Sequence, residues 1–514
     1  MDGAAECAPL LRGRRGGRRL DRGRFTSDLA FPGEEEHIPR FRHFGTMLQG
    51  LADDLIDVLG PDAVKTAPAD LVVYGYDADT AQAEHLPDAV VIPRDVREVC
   101  ATVRIAKKHG LPIVPRGAGT GLCGGTIPVQ GGVVVTFNRM NRILELDVRN
   151  RRARVQPGLI NLDLSLAGGP HGLFYAPDPS SQKASTIGGN VATNAGGPHC
   201  LSYGTTTNHV LGIEFVDDDG EVVRTSIDDP GYDLTGALVG SEGTLGIVTA
   251  IDVRLMRSPE AVRVFVAAFE TVEVASEVVS AIIGAGIVAT ALEIIDKVMI
   301  DAIEAHYHAG YPVGAGAVLL VEIAGYAEEM NANEAAIAEI VRSHGALSWT
   351  AARDPAQREA LWAARKGAAG AVGRISPNYY IQDACVPRTR LPDALRAIEE
   401  IARDHRLIVG NVFHAGDGNL HPLLMFDRRE ARQVQAVLDA GTEILRTCIE
   451  MGGTISGEHG IGYEKRETLS LCYSADDLAT MGRVRDVLDP ARRFNPNKIF
   501  PSGAMCGEVK TSLA

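Results

Sequence analysis

Apolar positions along this chain change period several times, and the changes fall at glycine-rich breaks. Leu48, Leu51, Leu55 and Leu59 recur at helical spacing and predict a helix over 48–59. An apolar run at 89–93 predicts a strand. Val96, Val99, Val103 and Ala106 then predict an amphipathic helix over 96–109, followed by a strand at 111–114. More strands are expected at 131–137, 152–155, 211–216 and 221–225. In the second half, 262–269 and 317–323 predict strands, 272–283 and 331–343 predict helices, and 361–366 lies on another helix. Two apolar runs, 408–413 and 423–426, flank Ala415-Gly416-Asp417-Gly418-Asn419. That is the pattern of a strand, a tight turn and a second strand.

The best apolar run, 278–292, has 15 residues and two glycines. It is too short to span a bilayer and reads as a buried helix. At 514 residues the chain can hold two or three domains, and a charged fraction of 23% is ordinary for a globular protein. A net charge of −15 argues against nucleic acid as a partner, because phosphate repels an acidic surface. None of the eight cysteines forms a CxxC pair, so neither a zinc ribbon nor an iron–sulfur cluster is encoded. Residues 1–42 are different in kind. Arg12, Arg14, Arg15, Arg18, Arg19, Arg22 and Arg24 crowd a segment without apolar periodicity, which predicts a disordered extension. It lacks the apolar run of a secretory signal, so the reducing cytoplasm is the expected setting.

Three glycine-rich segments carry the first candidate chemistry. Pro115-Arg116-Gly117-Ala118-Gly119-Thr120-Gly121-Leu122-Cys123-Gly124-Gly125 holds five glycines in eleven residues. Glycine lets backbone N–H groups approach a pyrophosphate closely. The segment runs from strand to strand rather than from strand to helix, which does not fit a Rossmann fingerprint. The second segment, 178–197, adds two Gly-Gly pairs with Asn190 and Asn194, and the third, 240–249, enters an apolar strand. Ordering so much glycine costs backbone entropy, so three such loops suggest one extended ligand.

The motifs PRGAGTGL, APDPSSQKASTIGGNVATNAGGPHCLSYG, GYDLTGALVGSEGTLGIVT and HAGDGNLH…GEHGIG together resemble the FAD-linked oxidase family with the p-cresol methylhydroxylase-type flavin fold. Within it they are most similar to the glycolate oxidase and D-lactate dehydrogenase branch, over residues 70–503. The resemblance implies an α+β protein: a two-subdomain FAD-binding domain over 47–258, then a substrate and metal domain with an antiparallel sheet over 259–503, and a tail over 504–514. It implies pyrophosphate contacts from Arg116, Gly117, Ala118, Gly119, Thr120 and Gly121. Ser181, Thr186, Gly188, Gly189, Asn190, Thr193 and Gly197 would line the second FAD segment, and Glu242, Gly243, Gly246 and Ile247 the adenosine or ribityl end. The first loop has no histidine for a covalent link, so non-covalent FAD is implied. Arg365 would clamp the substrate carboxylate, a planar anion suited to a guanidinium fork.

His414 and His421 are seven apart, about 10 Å along an α-helix and too far to share an ion. Across a hairpin turn they can converge on a divalent, zinc-like metal, with Glu458 as the oxygen ligand. His459, next in sequence, is the candidate base for the substrate hydroxyl proton, and Asn419 would orient substrate or ligands. Ile381 stands where D-2-hydroxyglutarate enzymes carry a lysine for a second carboxylate, which favours a small mono-carboxylate, glycolate or D-lactate. Expected partners are that 2-hydroxy acid and an electron acceptor, either a second flavin subunit with an iron–sulfur subunit or another acceptor. Any membrane association, at the inner face, would go through a partner. The alternatives are a broad-range D-2-hydroxyacid dehydrogenase and a flavin alcohol oxidase without metal.

Overall fold

The computed structural model describes residues 44–79 and 85–502. The arginine-rich extension and the tail predicted from the sequence lie outside the described residues. The fold is α+β, and its first half is built on two sheets. In the first, Ala89–Val91, Val133–Thr136 and Ile113–Arg116 run parallel, and Val64–Lys65 pairs antiparallel at the edge. The helix Val96–His109 covers this sheet, and its ends follow from local chemistry. Asp95 caps it by accepting from the N–H groups of Arg97 and Glu98. Lys107, Lys108 and His109 complement its C-terminal dipole, and Gly110 leaves it at φ +65°. Val99, Val103 and Ala106 face inward, as the spacing predicts. The second sheet is antiparallel, in the order Ile143–Asp147, Arg152–Val155, Ile247–Arg254, Val210–Val216 and Val222–Ser226.

The second half is organised on a larger antiparallel sheet. Ala261–Phe269, Ala317–Gly325, Ala291–Asp296 and Ile408–His414 are neighbours in that order, and Asn419–Leu420 and Pro422–Phe426 extend it beyond the hairpin. The helices Val272–Gly284, Met330–Ser343, Leu391–Asp404 and Ala431–Glu450 contribute to a core on one side, and Lys297–Tyr307 and Pro355–Lys366 to a second core.

One expectation fails. The run 278–292 is not one buried helix: the helix Val272–Gly284 stops, Gly286 turns at φ +77°, and the strand Ala291–Asp296 begins. Apolarity hid the change because the strand is buried at every position and so shows no alternation to set it apart from the helix before it. Among the described residues, no helix is long and apolar enough to cross a membrane. The chain finally returns to the first sheet. Phe494 bridges Ile113, Asn495 Nδ2 donates to the carbonyls of Gly125 and Glu242, and Lys498 Nζ donates to that of Ile127.

Candidate active site

A cavity of about 540 Å³ is lined from both halves. The first glycine loop contributes Arg116, Gly117, Ala118, Gly119, Thr120 and Gly121, and the second contributes Ser181, Thr186, Gly188, Gly189, Asn190 and Thr193. Glu242, Gly243 and Gly246 come from the third. The close approach that glycine permits is real: a Cβ on Gly117 would stand 2.6 Å from Thr186 Oγ1. Thr186 caps the short helix Ile187–Thr193, accepting from Gly189 N–H.

Two of the expected residues are not on the cavity lining. Gly197 approaches the backbone of Asp178 and does not line the cavity, and the Ile247 side chain packs into the core with Val216. Two more have side chains committed to protein. Arg116 donates to the Tyr76 carbonyl at 2.6 Å and to Thr126 Oγ1 at 2.9 Å, so its guanidinium shapes the loop. Glu242, in the left-handed region at φ +52°, accepts from the N–H groups of Ile461 and Gly462 at 2.7 and 2.8 Å. It thereby ties the third glycine loop to the GEHGIG segment, and burial lifts its carboxyl to about 7.

At the other end of the cavity, the hairpin does what its spacing predicts. His414 pairs with Asn419 across the turn, and Gly418 supplies φ +73° where the carbonyl of Val386 leaves no room for a Cβ. The His414 and His421 ring centroids stand 5.0 Å apart. His414 Nε2 lies 3.1 Å and His421 Nε2 3.4 Å from Glu458 Oε1. One ligand atom from each of the three residues fits within a mutual 4.8 Å, a donor set of two imidazoles and a carboxylate that suits a zinc-like ion. Asp383, His421 and His459 meet the same distance criterion. Asp383, however, is already filled by N–H donors, so the first set fits an ion better. Burial opposes charge on His414, but Glu293 and Glu458 outweigh it and raise the ring to about 10.

His459 stacks on His421 with centroids 4.8 Å apart and lines the cavity. Burial pulls it down to about 4 against the opposing charge of Asp383, so the ring is neutral near pH 7. Its Nδ1 is buried without a hydrogen-bond partner. A neutral imidazole on a cavity wall can accept a proton. Asn419 packs beside Gly457, whose own Cβ would meet its amide at 2.5 Å. Asn419 and His414 stand behind the cavity wall rather than in it.

Sequence reasoning missed two buried carboxylates that organise these groups. Glu293, fully buried on the strand Ala291–Asp296, accepts from His414 Nδ1 at 2.7 Å and forms an ion pair with Arg365. It turns His414 Nε2 towards Glu458 and holds the Arg365 guanidinium at the cavity, with Arg365 Nε left unpartnered. Asp383 accepts from Ser456 Oγ and from the N–H groups of Gly457, Glu458 and His459, which fixes the loop bearing both Glu458 and His459. The available signal was a charge inside a wholly apolar strand, Ala291-Leu292-Glu293-Ile294-Ile295.

Glycine loops that leave backbone around a long cavity, closed by a histidine–carboxylate cluster, define a flavin-dependent oxidoreductase site. Comparison with known proteins agrees. The model of the C-terminal domain of FAD linked oxidases matches residues 258–499, and that of an FAD binding domain matches 87–226. Glycolate oxidase subunit GlcD of Escherichia coli is 44% identical over 82% of this chain and 85% of its own. The Bacillus subtilis subunit of that name is 41% identical over 88% and 97%, and D-lactate dehydrogenase of Anaerostipes hadrus 32% over 80% and 89%. In fold, p-cresol methylhydroxylase superposes with a TM-score of 0.75 at 17% identity, covering 88% of this chain and 97% of its own. This chain belongs to the FAD-linked oxidase family. It is an FAD-dependent oxidoreductase.

Proposed function

We propose that the protein oxidises a small D-2-hydroxy acid, glycolate or D-lactate, to the 2-oxo acid. The observation that carries this reading is the convergence on one cavity of Arg365, a neutral His459 and the Glu458 carboxylate that His414 and His421 face. Arg365, held by Glu293, binds the substrate carboxylate. His459 takes the hydroxyl proton. Ile381, Val412 and Leu423 give the cavity an apolar wall, and Lys366, which also lines it, is paired with Asp178, which suits a mono-carboxylate. FAD, held non-covalently in the glycine cradle, supplies the hydride acceptor, and a divalent ion on His414, His421 and Glu458 would lower the pKa of the substrate hydroxyl.

The glycine loops belong to a flavin-binding domain over 47–258 and the cluster to a substrate domain over 259–503 in this reading. The names of the most similar relatives support substrate and assembly alike, since two are glycolate oxidase subunits. A second flavin subunit and an iron–sulfur subunit are the partners we infer, with the membrane's inner face reached through them. A panel of D- and L-2-hydroxy acids, added anaerobically to the holoenzyme with and without chelator, tests the reading. Glycolate or D-lactate should bleach the flavin and lose that power after chelation. Bleaching confined to aryl alcohols or dicarboxylic acids would overturn it.

A further inference from the structure

A second, half-buried charged cluster joins the two halves away from the hairpin. Asp178 and His199 flank the second glycine segment, Glu322 lies on the strand Ala317–Gly325, and Trp362 and Lys366 lie on the helix Pro355–Lys366. His199 stands between two carboxylates, with Nδ1 2.8 Å from Asp178 Oδ2 and Nε2 2.9 Å from Glu322 Oε1. The same two carboxylates grip the helix. Trp362 Nε1 donates to Glu322 Oε2 at 2.7 Å, and Lys366 Nζ donates to Asp178 Oδ2 at 2.8 Å.

With a carboxylate oxygen at each ring nitrogen, a neutral imidazole would set a lone pair against negative charge, so both nitrogens carry protons. Asp178 and Glu322 are then balanced by the His199 imidazolium and the Lys366 ammonium, in a site where an unpaired charge would be costly. Burial opposes protonation of His199, but Asp178 and Glu322 outweigh it and raise the ring to about 10. Trp362 and Lys366 are four apart and share a helix face, and the His199 ring lies against Trp362 with centroids 5.2 Å apart. Arg365 sits between these two anchors in sequence and turns instead to Glu293. The last turn of the helix is therefore held by the flavin-side Asp178 through Lys366 and by the cavity-side Glu293 through Arg365.

We propose that His199 is a positioning residue for substrate binding: the Asp178–His199–Glu322 bridge locks the helix Pro355–Lys366 against the flavin region and fixes where Arg365 meets the substrate carboxylate. This rests on the reading of Arg365 as the carboxylate clamp. His199 does not line the cavity, so it acts through the groups it binds.

The test compares wild-type holoenzyme with His199→Leu and His199→Lys. His199→Leu should raise KM for glycolate or D-lactate about tenfold while kcat stays within about threefold and the FAD-to-protein ratio is unchanged. His199→Lys, which restores a cation between the carboxylates, should recover most of that loss. Hydrogen–deuterium exchange over residues 355–366 should rise in the leucine variant and fall back in the lysine variant. An unchanged KM, or a KM that lysine does not restore, overturns the proposal. So does a fall in kcat that tracks loss of FAD, the mark of a merely structural role. If neither acid bleaches the wild-type flavin, the functional reading fails by itself, and exchange over the helix still decides the bridge: no rise in His199→Leu overturns it. Should the leucine variant not fold, Trp362→Phe removes the bond to Glu322 while keeping an aromatic ring beside His199. It should raise KM about threefold, and no change there overturns the proposal equally.

Discussion

The glycine loops present backbone to the cavity, whereas the hairpin and its partners present ionisable side chains, and the two regions are held by different means. Around the loops, shape comes from close approach, as where Gly117 meets Thr186 and Gly243 meets Pro115. Around the hairpin, shape comes from buried carboxylates that each bind several groups, Glu293 through His414 and Arg365 and Asp383 through the Glu458–His459 loop. A cradle of backbone is insensitive to most side-chain losses but intolerant of added bulk. A cluster of charges is the reverse, because removing one partner strands the other in a medium that solvates it poorly.

The largest effect expected from that difference is on the cluster. Glu458→Ala should abolish stoichiometric metal by elemental analysis and lower substrate-driven flavin reduction by about a thousandfold, while the FAD-to-protein ratio is kept. Glu293→Gln should weaken metal binding about 10- to 100-fold, since His414 loses the carboxylate that orients it, and should raise KM through Arg365; a chelator competition and steady-state kinetics read the two effects. In the cradle the pattern inverts. Gly117→Ala should release FAD, seen as a fall in the FAD-to-protein ratio on gel filtration, while leaving the metal content alone.

The smallest effect concerns Glu242, which links the two regions. Its folded carboxyl titrates near 7, against about 4.3 in an unfolded chain, so the folded state keeps its proton longer. Stability from this group is therefore lost as pH rises between about 4.3 and 7 and is flat above that. Thermal melts of wild type against Glu242→Gln should diverge across that window in favour of the variant.

The two regions also differ in how far the sequence discloses them. Periodicity located the helix Val96–His109 to the residue and the hairpin strands to within one, because each has a polar side or a glycine turn to mark its ends. Convergence of His414 and His421 followed from hairpin geometry, and Glu458 came with the paired motif. Residues that act through others were not legible. Glu293 lies in a strand buried on both faces, and Asp383 is some seventy residues from the loop it organises, so no local pattern ties either to its role. Gly197 and Ile247 show the converse: the motif places them at the ligand, whereas Gly197 packs against Asp178 and the Ile247 side chain joins the core.

A neutral His459 is expected to take the substrate proton while the glycine cradle retains the flavin. Rapid mixing of His459→Ala holoenzyme with glycolate or D-lactate under anaerobic conditions tests it most directly. Full FAD occupancy and metal content are expected, with flavin bleaching slowed by about a hundredfold or more. Bleaching at the wild-type rate would contradict it.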